Sequence, residues 1–328
     1  MRVLVTGGTS MLGAATAQRL AAAGHDVTCF QRGVAPGDLR TVRGDITDRR
    51  QVDAAVAGHD AVVHLAALVT PRAPWAQFLA VNVDGTANVL AAVRGCQRFV
   101  HISSPSVAFT NRPAVNEPAL PANPHAGDRY TRSKATAERL VLDTADKPPT
   151  TVIRPHLVWG PGDTQLIGRI VAKSDANRLF LPGGGTALID TTYVDNAAAS
   201  IAAALDACVP NSPALDTPLV VSNGEPRPVA ELVDRILVAM GRTPNWRPVP
   251  PRLAALGGRV VEAVWWGPEP PITYFAARQL TIAHWYDQSQ TRHALDWAPH
   301  VSLDEGFRRL AEYSAHWGPG SRFRGRSR

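Results

Sequence analysis

The chain has 328 residues, 45% of them hydrophobic and 19% charged, a length and composition that can bury a full core and fit one large domain with a smaller companion. Its formal charge of +6 shrinks to +2 once the tail from Gly318 is set aside, since Arg322, Arg324, Arg326 and Arg328 stand there with no acid. No basic stripe for nucleic acid is left on the body, and no apolar run approaches the roughly 18–20 residues that span a bilayer.

The chain opens with a β-branched run, Arg2–Thr6, which reads as a strand and not as a leader. It leads directly into Gly7-Gly8-Thr9-Ser10-Met11-Leu12-Gly13 and an Ala-rich helix over roughly Met11 to Ala23. Further strands are expected at Asp26–Phe30, Leu39–Arg43, Ala61–Leu65, Arg98–Ser103 and Thr150–Arg154. Helices are expected at Arg49–Ala57, Trp75–Arg94 and Asp128–Thr144. Alternating units of this size predict an α/β fold with a Rossmann-type, doubly wound parallel sheet. After Gly160 the rhythm breaks at proline and glycine clusters, with helices expected at Asp195–Ala207, Ala230–Met240, Ile272–His284 and Leu303–Trp317. The expected organisation is a dinucleotide-binding domain over 1–160 with a return at about 190–222. A substrate-binding lobe over 161–189 and 223–317 and a basic, disordered tail over 318–328 complete it. Leu253–Trp266, ending in Trp265-Trp266, is expected to pack as core or as a lid over a greasy pocket. Only Arg252 and Arg259 supply the basic face that a membrane-surface helix would use. Cys29, Cys96 and Cys208 lie far apart without a CxxC pair, which fits reduced thiols in a cytoplasmic protein and suggests no metal site.

A strand, a glycine turn and a helix N-terminus form a phosphate site, because free backbone N–H groups and the positive dipole end face the anion there. Gly7 and Gly13, with Thr9, Ser10, Met11 and Leu12 between them, are therefore the expected pyrophosphate cradle of a dinucleotide. The second strand runs into Gln31-Arg32 with no acid for a ribose 2′-hydroxyl, so the pair is expected to face a 2′-phosphate and to favour NADP(H) over NAD(H). Asp45 and Ile46 follow the third strand, where the adenine edge is expected, although an aspartate there also caps turns. Tyr130 and Lys134 stand four residues apart at the start of a helix and so share a face. An ammonium beside a phenol is expected to lower its pKa from near 10 toward useful acid–base work. Ser104, at the end of the fifth strand, is the expected second donor to a carbonyl oxygen.

These residues resemble an extended short-chain dehydrogenase/reductase of the 3β-hydroxysteroid dehydrogenase-like branch, and the likeness runs nearly the whole length. It is carried by Thr6-Gly7-Gly8 through Gly13, Gly44-Asp45, His64-Leu-Ala-Ala67, Asn82-Val-Asp-Gly-Thr86 and Ser103-Ser104. Tyr130-x3-Lys134, Arg154-Pro155 before Gly160-Pro-Gly162, and Tyr193-Val-Asp195 complete the set. The resemblance implies Ser104, Tyr130 and Lys134 as a catalytic trio and a homodimer. It also implies cofactor contacts from Leu65, Ala66, Ala67, Asn82, Tyr130 and Lys134, with Pro155, His156 and Val158 bordering the nicotinamide. Where the family usually has glycine, this chain has Ser10, whose hydroxyl would crowd the pyrophosphate unless it donates to it.

Pro105 and Ser106 follow Ser104, so the acidic pair of sugar-nucleotide dehydratases is missing. Arg154-Pro155-His156 lacks the asparagine usual in uridine-sugar epimerases. Pro270-Pro-Ile-Thr-Tyr-Phe and His284-Trp-Tyr-Asp287 resemble bacterial 2-alkyl-3-oxoalkanoate reductases. The leading expectation is an NADP(H)-dependent reductase of a 3-oxo group on a long apolar small-molecule substrate. The alternatives are a 3β-hydroxysteroid dehydrogenase, a sugar-nucleotide epimerase or dehydratase, and a dinucleotide-binding sensor without catalysis.

Overall fold

The computed structural model describes residues 1–35, 37–70, 73–125, 127–264 and 273–317. Seven parallel strands form the central sheet: β1 (Arg2–Thr6), β2 (Asp26–Gln31), β3 (Arg40–Arg43), β4 (Ala61–His64), β5 (Arg98–Ile102), β6 (Thr150–Pro155) and β7 (Pro218–Val221). Their order is β7-β6-β5-β4-β1-β2-β3, the doubly wound Rossmann arrangement. Both faces are covered, so the strands are apolar almost throughout. Val3 and Val5 pack on one face with Leu20, Ile201 and Leu205, while Leu4 and Val62 pack on the other with Val89, Phe99 and Val141. The strand order reverses between β1 and β4, so their carboxyl ends, Thr6 and His64, open the crevice where such sheets bind ligands.

Helix α1 (Met11–Ala22) follows β1, and α2 (Arg49–Val56) starts on Asp48, which accepts from the N–H groups of Arg50 and Gln51. The single helix expected over Trp75–Arg94 is instead composite. A helical turn at Trp75–Phe78 passes into a π-helical segment at Leu79–Asp84, then α3 (Gly85–Ala92) and a 3-10 turn at Val93–Gly95. Wider π turns interrupt helices where a side chain must be re-aimed, and here the segment carries the buried Asn82. Helix α4 (Arg129–Asp143) is capped by Asp128, which accepts from Thr131 N–H at 2.8 Å. Helix α5 (Val194–Ala207) shares the β1 face of the sheet with α1.

A second core gathers Trp159, Leu181 and Tyr193 with α6 (Val229–Ala239) and the C-terminal helix at Leu303–Trp317. Trp159 stacks on Phe307 with ring centroids 4.6 Å apart. Helix α7 (Pro251–Val264) buries Ala254, and Gly258 lies so close to the next helix that a Cβ there would fall 2.6 Å from Tyr274 N. Leu253, Leu256 and Val260 are not core: they are 59%, 59% and 52% exposed on the opposite side of α7. Trp265 and Trp266, like the tail from Gly318 and Pro270-Pro-Ile272, lie outside the described residues. The helix expected over Ile272–His284 is short, α8 (Tyr274–Gln279), capped by Thr273. The chain then extends into a strand at His284–Tyr286, which pairs with Ala114–Glu117.

One buried chain of hydrogen bonds crosses the crevice. Ala66 N–H donates to Thr6 Oγ1 at 3.0 Å, and Thr6 Oγ1 lies 2.8 Å from His64 Nδ1. Thr86 Oγ1 donates to Asn82 O at 2.7 Å, so it must accept from His64 Nε2–H at 3.0 Å. That fixes the imidazole as the Nε2–H tautomer, with Thr6 donating to Nδ1. Burial, helped by the charge of Lys134, holds the His64 pKa down at about 3 and keeps the ring neutral. Replacing Thr86 by valine strands a buried N–H donor, so urea unfolding of Thr86→Val will show a loss of about 1–3 kcal/mol that Thr86→Ser largely restores.

Candidate active site

The glycine turn is built for close approach. Gly7 has φ +79°, and a Cβ there would sit 2.9 Å from Ala66 N; at Gly13 it would sit 2.2 Å from Gly7 O. Ser10 is bonded within the turn. Its hydroxyl accepts from Gly13 N–H at 3.0 Å and donates to Gly7 O at 2.9 Å, closing the turn on itself. As the N-cap of α1 it satisfies one of the free N–H groups of the first helical turn. Thr9, Met11 and Leu12 complete the turn and the first turn of α1.

Gln31 ends β2 beneath this turn, buried, with neither its amide nitrogen nor its oxygen partnered among the described residues. A Cβ on Gly8 would lie 3.0 Å from Gln31 Oε1. Arg32 beside it is exposed. Asp45 caps the turn after β3: its Oδ1 accepts from Thr47 N–H at 3.0 Å and from the Thr47 hydroxyl at 2.9 Å, with Ile46 buried next to it. A cradle that any side chain would fill and an orphaned amide below it fit the phosphates and ribose of a dinucleotide. Leu65, Ala66 and Ala67 border the cradle, half-buried at the end of β4.

Ser104 follows β5 and caps a short turn, its Oγ 2.9 Å from Ser106 Oγ. Tyr130 is half-buried in the first turn of α4, and Lys134, one turn on, is buried. Asn82 ties this helix to the crevice. Its carboxamide accepts from Leu68 N–H at 2.6 Å and donates to Ser133 Oγ at 2.8 Å, and Ser133 donates to Tyr130 O at 2.7 Å. Lys134 Nζ donates to Ile102 O at 2.5 Å. The expected lowering of the phenol pKa does not occur in this state. Burial, with Asp128 nearby, pushes Tyr130 up to about 12, and burial brings Lys134 down to about 8 against the pull of Glu138. Desolvation outweighs a lysine that is already engaged with a backbone carbonyl.

On the far side, Pro155 ends β6 and His156 is held by Asp190: Nδ1 to Oδ1 is 2.7 Å, and Ser222 donates to the other oxygen at 2.6 Å. Leu157 adopts φ 42°, costly for a leucine, between carbonyls that Thr192 grips on both sides. Val158 is half-buried and pairs with Thr192. Neither Asp190 nor Ser222 was signalled in the sequence. They reach His156 only through the pairing of distant strand ends.

Fold and site together define a nucleotide-dependent oxidoreductase of the short-chain dehydrogenase/reductase type. Residues 3–214 match the model of the NAD dependent epimerase/dehydratase family. The chain belongs to this family, the extended short-chain dehydrogenases/reductases, and is an NAD(P)-dependent oxidoreductase. A 2-alkyl-3-oxoalkanoate reductase of Stenotrophomonas maltophilia (strain K279a) is 38% identical over 96% of this chain and 100% of its own length. A 3-beta-hydroxysteroid dehydrogenase of Mycolicibacterium neoaurum is 31% identical over 95% of this chain and 91% of its own. Among solved structures, MoeE5 in complex with UDP-glucuronic acid and NAD shares the fold, with a TM-score of 0.76 at 22% identity over 96% of this chain and 99% of its own.

Gly13→Ala drives a methyl group into Gly7 O, displaces the turn and will weaken dinucleotide binding about tenfold, beside an overpacking cost to stability of about 1–3 kcal/mol. Fluorescence titration with NADPH and NADH reads this. Gly95→Ala, where a Cβ would meet nothing within 4 Å, is the control.

Proposed function

We propose that the protein reduces the 3-oxo group of a 2-alkyl-3-oxoalkanoate to the 3-hydroxy acid, using NADP(H). The observation that carries this reading is likeness over nearly the whole chain. Two relatives bearing the name 2-alkyl-3-oxoalkanoate reductase, at 38% and 34% identity, match 96% and 93% of this chain. The 3β-hydroxysteroid dehydrogenase at 31% identity supports the second reading, oxidation of a sterol hydroxyl. The absence of an acid at Gln31-Arg32 supports NADP(H), with exposed Arg32 available to a 2′-phosphate.

When bound, the nicotinamide supplies the hydride. In this reading Ser104 Oγ donates to the carbonyl oxygen and orients it. Tyr130 Oη passes its proton to that oxygen as the alkoxide forms. Burial holds the phenol near pKa 12, so it stays protonated at neutral pH and needs a nearby cation to release its proton. Lys134 stabilises the phenolate left behind and holds the ribose, and the Asn82–Ser133 bonds keep its helix in register with the crevice. Pro105 and Ser106 supply no acid for dehydration, which supports simple carbonyl reduction over sugar-nucleotide chemistry.

Tyr130→Phe will lower kcat for NADPH-dependent reduction by about 10²–10⁴-fold while NADPH still binds. A sensor without catalysis would show no turnover to lose. Wild-type protein that turns over a sterol with NAD but no 3-oxo acid with NADPH would shift the reading to the second.

The pH dependence follows from Lys134. Its charged form dominates below a pKa of about 8 and is lost above it, so reductive kcat/KM will fall as pH rises through about 8. Lys134→Arg, charged throughout, will move that fall to higher pH.

A further inference from the structure

A cavity lies directly behind the residue proposed to orient the carbonyl. Ser104 Oγ is 2.9 Å from Ser106 Oγ, and Ser106 lines a cleft that is partly open to solvent. It is bounded by the turn at Pro105–Ala108, the strand pair Ala114–Glu117 and His284–Tyr286, and the end of α8. Ala108, Phe109, Leu120 and Ile282 give it apolar walls. Phe109 is set edge-on against Phe275, ring centroids 5.0 Å apart, which fixes one wall.

The titratable groups facing the cavity carry almost no net charge. Arg154 is locked to Glu138 by two hydrogen bonds with both side chains fully buried. His284 donates from Nδ1 to Ile282 O at 2.7 Å, and burial holds its pKa down at about 4, so the ring is neutral. Burial and the charge of Asp190 push the Tyr286 phenol up, so it stays protonated. The remaining two, exposed Arg112 and half-buried Glu117, carry opposite charges. A lining without net charge gives an anion or a phosphate no electrostatic reason to enter. The apolar walls at Ala108, Phe109, Leu120 and Ile282 favour burial of hydrocarbon along that side.

We propose that this cavity takes one of the two alkyl arms of the branched substrate and so sets the chain-length selectivity of the enzyme. The assignment rests on the functional reading above and places the carbonyl at Ser104 with one arm running past Ser106. Ala108 and Phe109 then act as the selectivity-determining residues, the first where the cavity can be narrowed and the second where it can be widened.

The test uses 2-alkyl-3-hydroxy acids with NADP⁺, since the 3-oxo acids lose carbon dioxide on standing. Each arm is varied in turn from short to long with the other held fixed. In Ala108→Leu the ratio of kcat/KM for long over short will fall about tenfold for one arm and stay level for the other, the range expected for methylene-sized changes in an apolar pocket. In Phe109→Ala the same ratio will rise for that arm. Opposite movements in two neighbouring variants cannot come from general damage to the fold. If the wild type turns over the acids but neither variant moves either ratio, the cavity assignment is overturned alone. A wild type inactive on every acid overturns the functional reading and the assignment with it.

Discussion

The carboxamide of Asn82 is the constraint on which the arrangement of this site depends. It is buried in the π-helical segment and satisfies two pieces of structure at once: the backbone of Leu68, after β4, and Ser133, one turn into α4. Both parts of the crevice are thereby referred to a single side chain. Hydrogen bonds in such dry surroundings are strong when complete and costly when one partner is lost. The His64 chain works on the same point, since the Thr86 hydroxyl donates a hydrogen bond to the carbonyl of Asn82. The loop after β4 and the tyrosine helix are held by one polar thread.

Much of this was legible in the sequence, for reasons that can be named. Strands buried on both faces must be apolar throughout, and the glycine turn must follow the first of them, so Arg2–Gly13 carried its own context. The i, i+4 spacing of Tyr130 and Lys134 needs only a helix to place both on one face. Other features depend on tertiary contacts that no local pattern encodes. The π segment at Leu79–Asp84 is one, because apolar spacing within Trp75–Arg94 fits an unbroken helix as well. The strand at His284–Tyr286 is another: its partner, Ala114–Glu117, lies far away in the chain.

The phenol is the instructive case. Its neighbour in sequence is a cation, and proximity alone argues for a depressed pKa. Burial has the larger effect, and Lys134 is already spoken for by Ile102 O. Whether a charge helps depends on where its donors point, which is a property of the folded chain. His156 makes the same point from the other side. It was read as a neighbour of the nicotinamide, and its fixed orientation comes from Asp190, a residue 34 positions on that nothing local marks.

Ser10 has one more consequence. With its hydroxyl joined to Gly7 O and Gly13 N, the first loop is tied by bonds of its own. An all-glycine version would have to be ordered by its ligand and would lose that entropy on binding. Here a side chain already restricts the loop, which lowers the ordering cost that a bound coenzyme has to meet.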